Sequence, residues 1–383
     1  MNKTQLTFTT KGGDYNSWAL DQTLFYVKNG FREKTNWIYV DSIFLADIVI
    51  FGWYSGFLEN KLLITGAKIL ICILDNDSRK IYKDIFKNKD LQKIDFWLTH
   101  SSREKNYLRE KGLNSFILPY PKKNKFYNPR IEKKYLNFID SLKIYKTKNN
   151  IKLILSTQRD SSNIKKEWIP KKQKNPEYLI ELYEESIKQN LPYILVLCGV
   201  RRHWILKKLD KRKLPYIFIG DKPNINDDYL KKLPRDLILE ITKLCDFSIV
   251  TSSWEGGPLC IFESLEVGKP TFSTDVGFAR DLLSNNFILS GKLESDIKII
   301  KNILFSEEKN NLSTNECLVK YENFIQIDLI NIIDKIYQLK KTKIYYFKLN
   351  LNLYKFKFLD NVLNNLENFL KRSFNFLKRN LRK

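Results

Sequence analysis

The chain has 383 residues, of which 43% are hydrophobic and 14% aromatic, enough apolar side chains to build more than one folded core. Lysine and arginine outnumber aspartate and glutamate by 66 to 43, and this net charge of +23 favours an anionic partner: a phosphate-bearing substrate, an anionic membrane or a nucleic acid. Five scattered cysteines without a CxxC spacing and only two histidines argue against a disulfide framework, a zinc site or a multi-histidine metal cluster.

Two further features predict a cytoplasmic protein. The N-terminus, MNKTQLTFTTKGG, is too polar for a secretory signal peptide. No run of about 18 apolar residues predicts a membrane span, because the longest apolar stretches, such as IVIFGWY and YILVLC, have the length of buried strands.

Short β-rich runs alternate with helical patterns along most of the chain. The predicted strands are Ile48–Tyr54, Lys68–Leu74, Asp95–Leu98, Lys152–Ser156, Tyr193–Cys198, Tyr216–Gly220, Phe247–Thr251 and Pro270–Ser273. The predicted helices are Asn16–Lys28, Ser102–Lys111, Asn175–Lys188, Asp228–Leu244 and Pro258–Val267. Continuously apolar strands that alternate with helices are typical of parallel sheets covered on both faces, so an α/β fold is predicted.

A change of composition in residues 120–150 predicts a domain boundary. This stretch is polar and rich in lysine, and it contains two prolines in its first half. We therefore predict two Rossmann-like domains, an N-terminal one at 1–140 and a C-terminal one at 145–330. Residues 331–383 form a separate tail.

The tail is basic and amphipathic. Lys340–Lys383 contains twelve lysines and arginines against two acids, and its leucines recur at steps of three and four residues. This pattern predicts a helical tail with one apolar face. Such a helix either packs on the fold or lies on an anionic membrane surface, and the sequence leaves both arrangements open.

Residues 254–264, WEGGPLCIFES, combine features of an anion-binding turn. The predicted strand Phe247–Thr251 leads into Gly256, Gly257 and Pro258, and proline is favoured at the first position of a helix. Free N–H groups and the positive end of the helix dipole meet at such a helix start, which therefore attracts phosphate. Glu255 precedes the turn and can accept hydrogen bonds from hydroxyl groups next to the phosphate, and Glu263 on the helix can reach vicinal hydroxyls such as those of a ribose.

The longer segment SSWEGGPLCIFESLEVGKPTFSTDVGFARDLL resembles the C-terminal signature of the retaining GT-B glycosyltransferases of family four. That family has two glutamates separated by seven residues, as Glu255 and Glu263 are here. The resemblance continues upstream over about residues 150–285. LILSTQRD matches the strand that ends in the family's arginine, Arg159. KNPEYLIELYEESIKQN matches its lysine and following helix, which makes the lysine Lys174, and YILVLCGV supplies the glycine Gly199.

The resemblance implies a GT-B fold, in which an N-terminal Rossmann-like acceptor-side domain (1–140) and a C-terminal Rossmann-like nucleotide-sugar domain (145–330) face a cleft. It also implies specific roles for these residues. Arg159 and Lys174 would hold the diphosphate of a nucleotide-sugar, Glu255 would orient the sugar and Glu263 the ribose. The remaining implied donor contacts are Gly199, Gly256, Gly257, Pro258 and Leu259. The family usually places its arginine and lysine a few residues apart, whereas fifteen positions separate them here. Lys165 is therefore the alternative to Lys174.

The N-terminal half resembles the family less closely. KGGDYNSWALDQTLFYVKNGF resembles its first glycine loop and helix, so Gly12 and Gly13 are candidate contacts of the donor phosphate or the acceptor. His100 follows a predicted strand where the family usually has serine, and a structural role is favoured for it. The sequence Asp75-Asn76-Asp77 is similar to a metal-binding DxD motif, but no other feature supports that fold, and we expect neither a metal nor a cofactor. Arg201, Arg202 and His203 follow Gly199 at a strand end and are candidates for contact with phosphate or acceptor, but a solvated loop is the favoured interpretation.

The expected function is transfer of a sugar from a nucleotide-sugar to a glycan or lipid-linked acceptor, with retention of the anomeric configuration. The basic tail 340–383 suggests cell-envelope polysaccharide or lipopolysaccharide synthesis at the inner face of the membrane. The alternatives are another GT-B nucleotide-sugar enzyme, such as an epimerase, and a nucleic-acid-binding protein. The second is disfavoured because no nucleic-acid reader motif is present.

Overall fold

The structure is a computed structural model, and it describes residues 6–11, 23–24, 27–30, 32, 35–64, 68–74, 83, 85–118, 120, 133–164, 167–220, 233–325, 332, 334–339 and 342. Within these residues the protein is mixed α/β, with two six-stranded parallel sheets and one antiparallel hairpin. All five cysteines are free thiols. No helix in the described part of the chain is both long enough and apolar enough to cross a membrane.

The strands of the described residues are β1 Thr7–Lys11, β2 Ile38–Tyr39, β3 Ile48–Phe51, β4 Ile69–Leu74, β5 Phe96–Thr99, β6 Ser115–Ile117, β7 Lys152–Ser156, β8 Ser161–Ile164, β9 Glu167–Pro170, β10 Tyr193–Cys198, β11 Tyr216–Ile219, β12 Phe247–Val250, β13 Thr271–Thr274 and β14 Ile288–Leu289. The α-helices are α1 Tyr54–Asn60, α2 Ser102–Glu110, α3 Lys133–Asn149, α4 Pro176–Lys188, α5 His203–Lys211, α6 Arg235–Leu244, α7 Leu259–Glu266, α8 Ala279–Leu282, α9 Leu293–Phe305 and α10 Glu307–Ile325. Short 3-10 turns occur at Lys61–Leu63, Leu91–Lys93, Lys172–Lys174 and Asn285–Phe287.

The first sheet has the strand order β2-β1-β3-β4-β5-β6. Every residue of β3, β4 and β5 is buried, which explains why these strands are continuously apolar and do not alternate between polar and apolar residues. The prediction of parallel, fully covered strands is therefore confirmed for this half of the chain.

The second sheet has the order β11-β10-β7-β12-β13-β14. Strand β7 pairs in parallel with β10 on one side and with β12 on the other, so the strand order reverses at β7. In open α/β sheets, ligands bind outside the carboxyl ends of the strands at such a reversal. The carboxyl ends of β7, β10 and β12 are therefore where a site is expected.

Helix α4 shows how this sheet is covered. Pro176 occupies the first helical position, and the helix buries Leu179, Leu182 and Tyr183 in the same apolar cluster as Phe247 of β12. A row of buried apolar residues at helical spacing fixes the helix against the sheet, and it thereby fixes the turn Lys172–Lys174 that precedes the helix.

The described residues divide into two compact units. One contains those within Met1–Cys72, Lys93–Asp95 and Leu329–Lys383, and the other contains those within Ile73–Gln92 and Phe96–Asp328. The limits of the two Rossmann-like domains stay a prediction. The stretch expected to be a polar boundary contains helix α3, which buries Ile139 and Leu142 against other apolar residues such as Ile241.

The predicted elements otherwise match within a few residues. Helix α6 begins at Arg235, not at Asp228, because Pro234 caps it and cannot continue a helix on its N-terminal side. Of the predicted helix Asn16–Lys28 the structure describes four residues, all helical: Thr23, Leu24, Val27 and Lys28. The predicted tail helix lies almost wholly outside the described residues.

Candidate functional site

The turn after β12 has the predicted order of strand, glycines and helix. Pro258 has an extended conformation and caps the helix, so α7 begins at Leu259, one residue later than predicted. Glu255 is buried, with 7% of its surface exposed, and it lies just before the glycines. The first two backbone N–H groups of α7, those of Leu259 and Cys260, have no acceptor within the helix, as at any helix start, whereas that of Ile261 donates to the carbonyl of Pro258 at 2.9 Å.

Gly257 in this turn and Gly277 after β13 are both tightly enclosed. A Cβ atom on Gly257 would lie 2.6 Å from Cε1 of Phe278 and 3.0 Å from Cβ of His100. Gly277 has a φ of +51°, and a Cβ atom there would overlap the carbonyl oxygen of Gly256. These glycines therefore let the turn pack closely against its neighbours, a constraint that the sequence alone did not indicate.

Glu255 and Lys174 form an ion pair through Oε1 and Nζ. Ser252 donates a hydrogen bond to the same carboxylate oxygen at 2.7 Å, and Nε2 of Gln173 lies 3.5 Å from the other oxygen. The side chains of Lys174 and Glu255 are only 16% and 10% exposed. The pair is therefore held in a defined geometry and is only weakly screened by solvent.

The fourteen residues between Arg159 and Lys174 are occupied mainly by a β-hairpin, β8 and β9. Ser161 pairs with Pro170 at its base, and the backbone N–H of Lys171 donates to the carbonyl of Asp160 at 2.6 Å. The hairpin thus leaves the site and returns to it, so the lysine stays close although the sequence separation is long. The alternative lysine, Lys165, lies outside the described residues.

Several cations converge on this point. Burial, together with the charges of Lys174, Arg159 and Arg201, lowers the pKa of Lys171 to about 8, while Glu255 acts in the opposite direction. Arg159 is thus close enough to the lysines for its charge to act on them. Four cations around one carboxylate make a strongly electropositive region at the carboxyl end of β7.

The segment after β7 is tied to the turn after β12. Nε2 of Gln158 donates to the hydroxyl of Ser252 at 2.5 Å, and its Oε1 accepts from the backbone N–H of Thr251 at 3.3 Å. The backbone N–H of Ser253 donates to the carbonyl of Gln173 at 2.8 Å. The segments that carry Arg159, Lys174 and Glu255 are therefore joined to one another by hydrogen bonds.

Two further predicted residues lie close to this region. Glu263 is 9% exposed on α7, and its charge contributes to raising the pKa of the buried Cys198, after the larger effect of burial. Gly199 follows β10 with a φ of +97°, and a Cβ atom there would lie 3.3 Å from the carbonyl oxygen of Thr157. The ends of β7 and β10 are thus in close contact, with Glu263 near the end of β10.

Arg202 is a buried residue and not part of a solvated loop, which corrects the interpretation made from the sequence. Its side chain is 1% exposed, and it forms an ion pair with Asp160 at 2.6 Å. Burial raises the pKa of Asp160 to about 6, although the charge of Arg202 acts in the opposite direction.

His100 packs against the glycine turn. Its Nδ1–H donates to the carbonyl of Leu118 at 2.8 Å, and its ring stacks on Tyr120 at 4.2 Å. The hydroxyl of Tyr120 donates to the carbonyl of Gly257 at 3.2 Å. These contacts support the structural role favoured for His100.

Some predicted residues lie outside the described part of the chain. They are Gly12, Gly13, the Asp75-Asn76-Asp77 sequence and nearly all of 340–383. Among the residues that are described, no three histidine, cysteine, aspartate or glutamate side chains are grouped so as to hold a metal ion.

The fold and the C-terminal half match known proteins. Residues 170–312 match the family model of glycosyl transferases group 1. HepE of Anabaena, solved with UDP-glucose, superposes with a TM-score of 0.60 at 12% identity and covers 88% of this chain and 100% of its own. A TarM variant of S. aureus, solved with UDP, fondaparinux and α-GlcNAc-glycerol, has a TM-score of 0.53 at 14% identity, with 76% of this chain and 55% of its own covered.

Trehalose-6-phosphate synthase OtsA has a TM-score of 0.50 at 12% identity and covers 79% of this chain and 72% of its own. A search of curated proteins gives no significant match. The structural similarities concern the fold alone, and the family match rests on the residues that build the second sheet and the glutamate turn. Residues 170–312 are thus similar to the glycosyl transferases of group 1, and the fold is similar to that of GT-B glycosyltransferases.

Proposed function

We propose that the protein transfers a sugar from a nucleotide-sugar to a glycan or lipid-linked acceptor, with retention of the anomeric configuration. The observation that carries the proposal is the buried Glu255–Lys174 pair with Arg159 and Lys171 beside it at the carboxyl end of β7. A site of this kind combines an excess of positive charge for a diphosphate with one fixed carboxylate for hydroxyl groups.

The chemical step is difficult because a nucleoside diphosphate must leave while positive charge develops on the sugar. Arg159 and Lys174 stabilise the leaving charge: the guanidinium offers a planar fork of donors, and the ammonium is a compact charge. The backbone N–H groups of Gly257 and Leu259, at the start of α7, add partial positive charge. Because these groups are fixed before the reaction, they need little reorganisation during it.

Glu255 and Glu263 have separate roles in this mechanism. The carboxylate of Glu255 is fixed by Lys174 and Ser252. It accepts hydrogen bonds from sugar hydroxyls, and its negative charge stabilises the positive charge that develops on the ring. Glu263, on α7, accepts from the ribose hydroxyls. Gly199 lets the backbone after β10 approach the nucleotide, and Gly12 and Gly13 are proposed to contact the donor phosphate or the acceptor.

The proposed setting is the synthesis of a cell-envelope polysaccharide or lipopolysaccharide at the cytoplasmic face of the membrane. The basic composition of residues 340–383 supports this, because twelve cationic side chains attract anionic lipid headgroups. The proposal requires no metal ion, since Arg159, Lys174 and the start of α7 supply the positive charge.

The donor is tested with a panel of nucleotide-sugars in a thermal unfolding assay, starting with UDP-glucose, which HepE binds. A ligand present at 100 times its Kd stabilises the folded protein by about 2.7 kcal/mol. We expect one nucleotide class to raise the melting temperature. NMR of the product then reports the anomeric configuration. Failure of every nucleotide-sugar in the panel to stabilise the protein would refute the proposed function.

A further inference from the structure

Arg202 lies next to the candidate site but takes no direct part in the proposed transfer. It is the residue before α5, and its side chain is among the largest fully buried ones in the protein. A guanidinium is charged at every accessible pH, so its burial is costly unless it is paired and hydrogen-bonded. The identity of its partners therefore indicates what this buried charge does.

All of its hydrogen-bond acceptors belong to the five residues Ser156–Asp160. One terminal nitrogen donates to the carbonyl of Ser156 at 2.6 Å and to its hydroxyl at 2.9 Å. The other donates to the carbonyl of Gln158 and to Oδ2 of Asp160 at 2.6 Å. The planar guanidinium group of Arg202 thus holds both ends of the Ser156–Asp160 segment.

That segment carries much of the candidate phosphate site. Arg159 is in it, and Gln158 connects it to Ser252 beside Glu255. The carbonyl of Asp160 accepts from the backbone N–H of Lys171, which leads directly into the turn that ends at Lys174. Displacement of the segment would therefore change the separation between Arg159 and Lys174.

The base of the hairpin gives a second connection to the same element. The backbone N–H of Ser161 donates to the carbonyl of Arg201 at 3.0 Å, and the hydroxyl of Ser161 accepts from the backbone N–H of Trp204 at 2.9 Å. Trp168 of β9 stacks on His203 at 3.6 Å. The start of α5 is therefore fastened to both ends of the inserted hairpin.

We infer that Arg202 is a positioning residue, which sets the spacing of Arg159 and Lys174 for a diphosphate by holding the Ser156–Asp160 segment. The inference rests on the proposed function, and it extends the machinery to a residue that does not contact the donor. Lysine cannot replace this arginine, because one ammonium group cannot reach four acceptors that lie around a plane. A displacement of about 1 Å in a group that binds the reacting atoms can lower a rate by about a hundredfold.

The test compares Arg202→Lys with the wild type by calorimetric titration with UDP and by the rate of UDP-glucose hydrolysis. We expect Arg202→Lys to fold and to bind UDP with an unchanged number of sites. Its Kd should rise by about tenfold and its kcat should fall by tenfold or more, because displaced cations weaken both binding and the transition state. Arg212→Lys is the matched control: Arg212 ends the same helix and forms an exposed pair with Glu184, and its substitution should change neither value.

Two results would overturn the inference. One is a wild-type Kd and kcat in Arg202→Lys. The other is a loss of binding sites with an unchanged Kd, which would mean that Arg202 maintains only the folded fraction. If Arg202→Lys does not fold, Asp160→Asn is measured in its place, with the same expected rise in Kd and the same two refuting results. If the wild type binds neither UDP nor another nucleoside diphosphate, the proposed function itself is wrong.

Discussion

Replacement of Glu255 by glutamine should separate donor binding from turnover. In the wild type the carboxylate lies among Lys174, Lys171, Arg159 and Arg201, and it competes with any diphosphate for these cations. Two unit charges about 6 Å apart interact by about 3 kcal/mol at an effective dielectric constant of 20. The surrounding cations offset part of this repulsion between Glu255 and a bound diphosphate, and the remainder weakens diphosphate binding. A net repulsion of about 1.4 kcal/mol would correspond to a tenfold change in Kd.

We therefore expect Glu255→Gln to bind UDP as tightly as the wild type or up to about tenfold more tightly. Its turnover should fall by about a hundredfold or more, because an electrostatic group acting on the transition state is lost. Without ligand the variant should be less stable, since Lys174 loses its counter-ion in a site with little solvent. UDP should then raise its melting temperature by more than it raises that of the wild type.

The assay combines UDP titration, thermal unfolding with and without UDP, and the rate of sugar transfer or donor hydrolysis. Glu184→Gln is the control, because Glu184 forms an exposed ion pair with Arg212 and such pairs contribute about 0–1 kcal/mol. Weaker UDP binding by Glu255→Gln together with normal turnover would refute the reasoning, since it would mean that Glu255 contributes to UDP binding and not to turnover.

Four other predictions concern Lys171, Gly257 and the basic tail. Because Lys171 has a lowered pKa of about 8, UDP affinity should fall as the pH rises through 8, and Lys171→Arg should move this loss to higher pH; an identical pH profile in both proteins would contradict the assignment. Between about pH 8 and 10.5 the folded protein therefore binds fewer protons at Lys171 than the unfolded chain does. The contribution of this lysine to the free energy of unfolding should rise with pH in that window, and denaturant titration at several pH values measures it. Gly257→Ala should destabilise the protein by about 1–3 kcal/mol, since the added methyl group meets Phe278, and wild-type thermal unfolding would show that the turn can relax. Truncation after residue 338 should weaken binding to vesicles of anionic lipid without changing UDP binding, and undiminished vesicle binding would exclude the tail as the anchor.

The fold could be predicted in large part because its strands are buried on both faces. Apolar runs such as Lys68–Leu74 and Tyr193–Cys198 are typical of fully covered strands, and the structure places strands in both. The sequence predicts a polar boundary where helix α3 lies, because the buried face of this helix is narrow, with Ile139 and Leu142 among many charged residues. A weak apolar stripe on a lysine-rich helix resembles a linker in sequence.

The candidate site could be predicted where its residues lie close together in sequence. Glu255 and the glycines after it occur in one short turn, and local rules describe such a turn well. The hairpin between Arg159 and Lys174 was not predicted, because its strands are four residues each and contain polar residues. Arg202 was also missed, since its partners depend on how β7 and β10 are placed side by side and not on its own sequence neighbours.

Because the hairpin is closed at its base, its length can change without changing the geometry of the candidate site. Because Ser161 and Pro170 pair at the point where the chain departs and returns, residues can be added to or removed from its far end while both stems keep their places. Loop tips of this kind tolerate insertion well. The hairpin is thus a position where a peptide tag or a new recognition loop can be grafted next to the candidate site without changing the residues of that site.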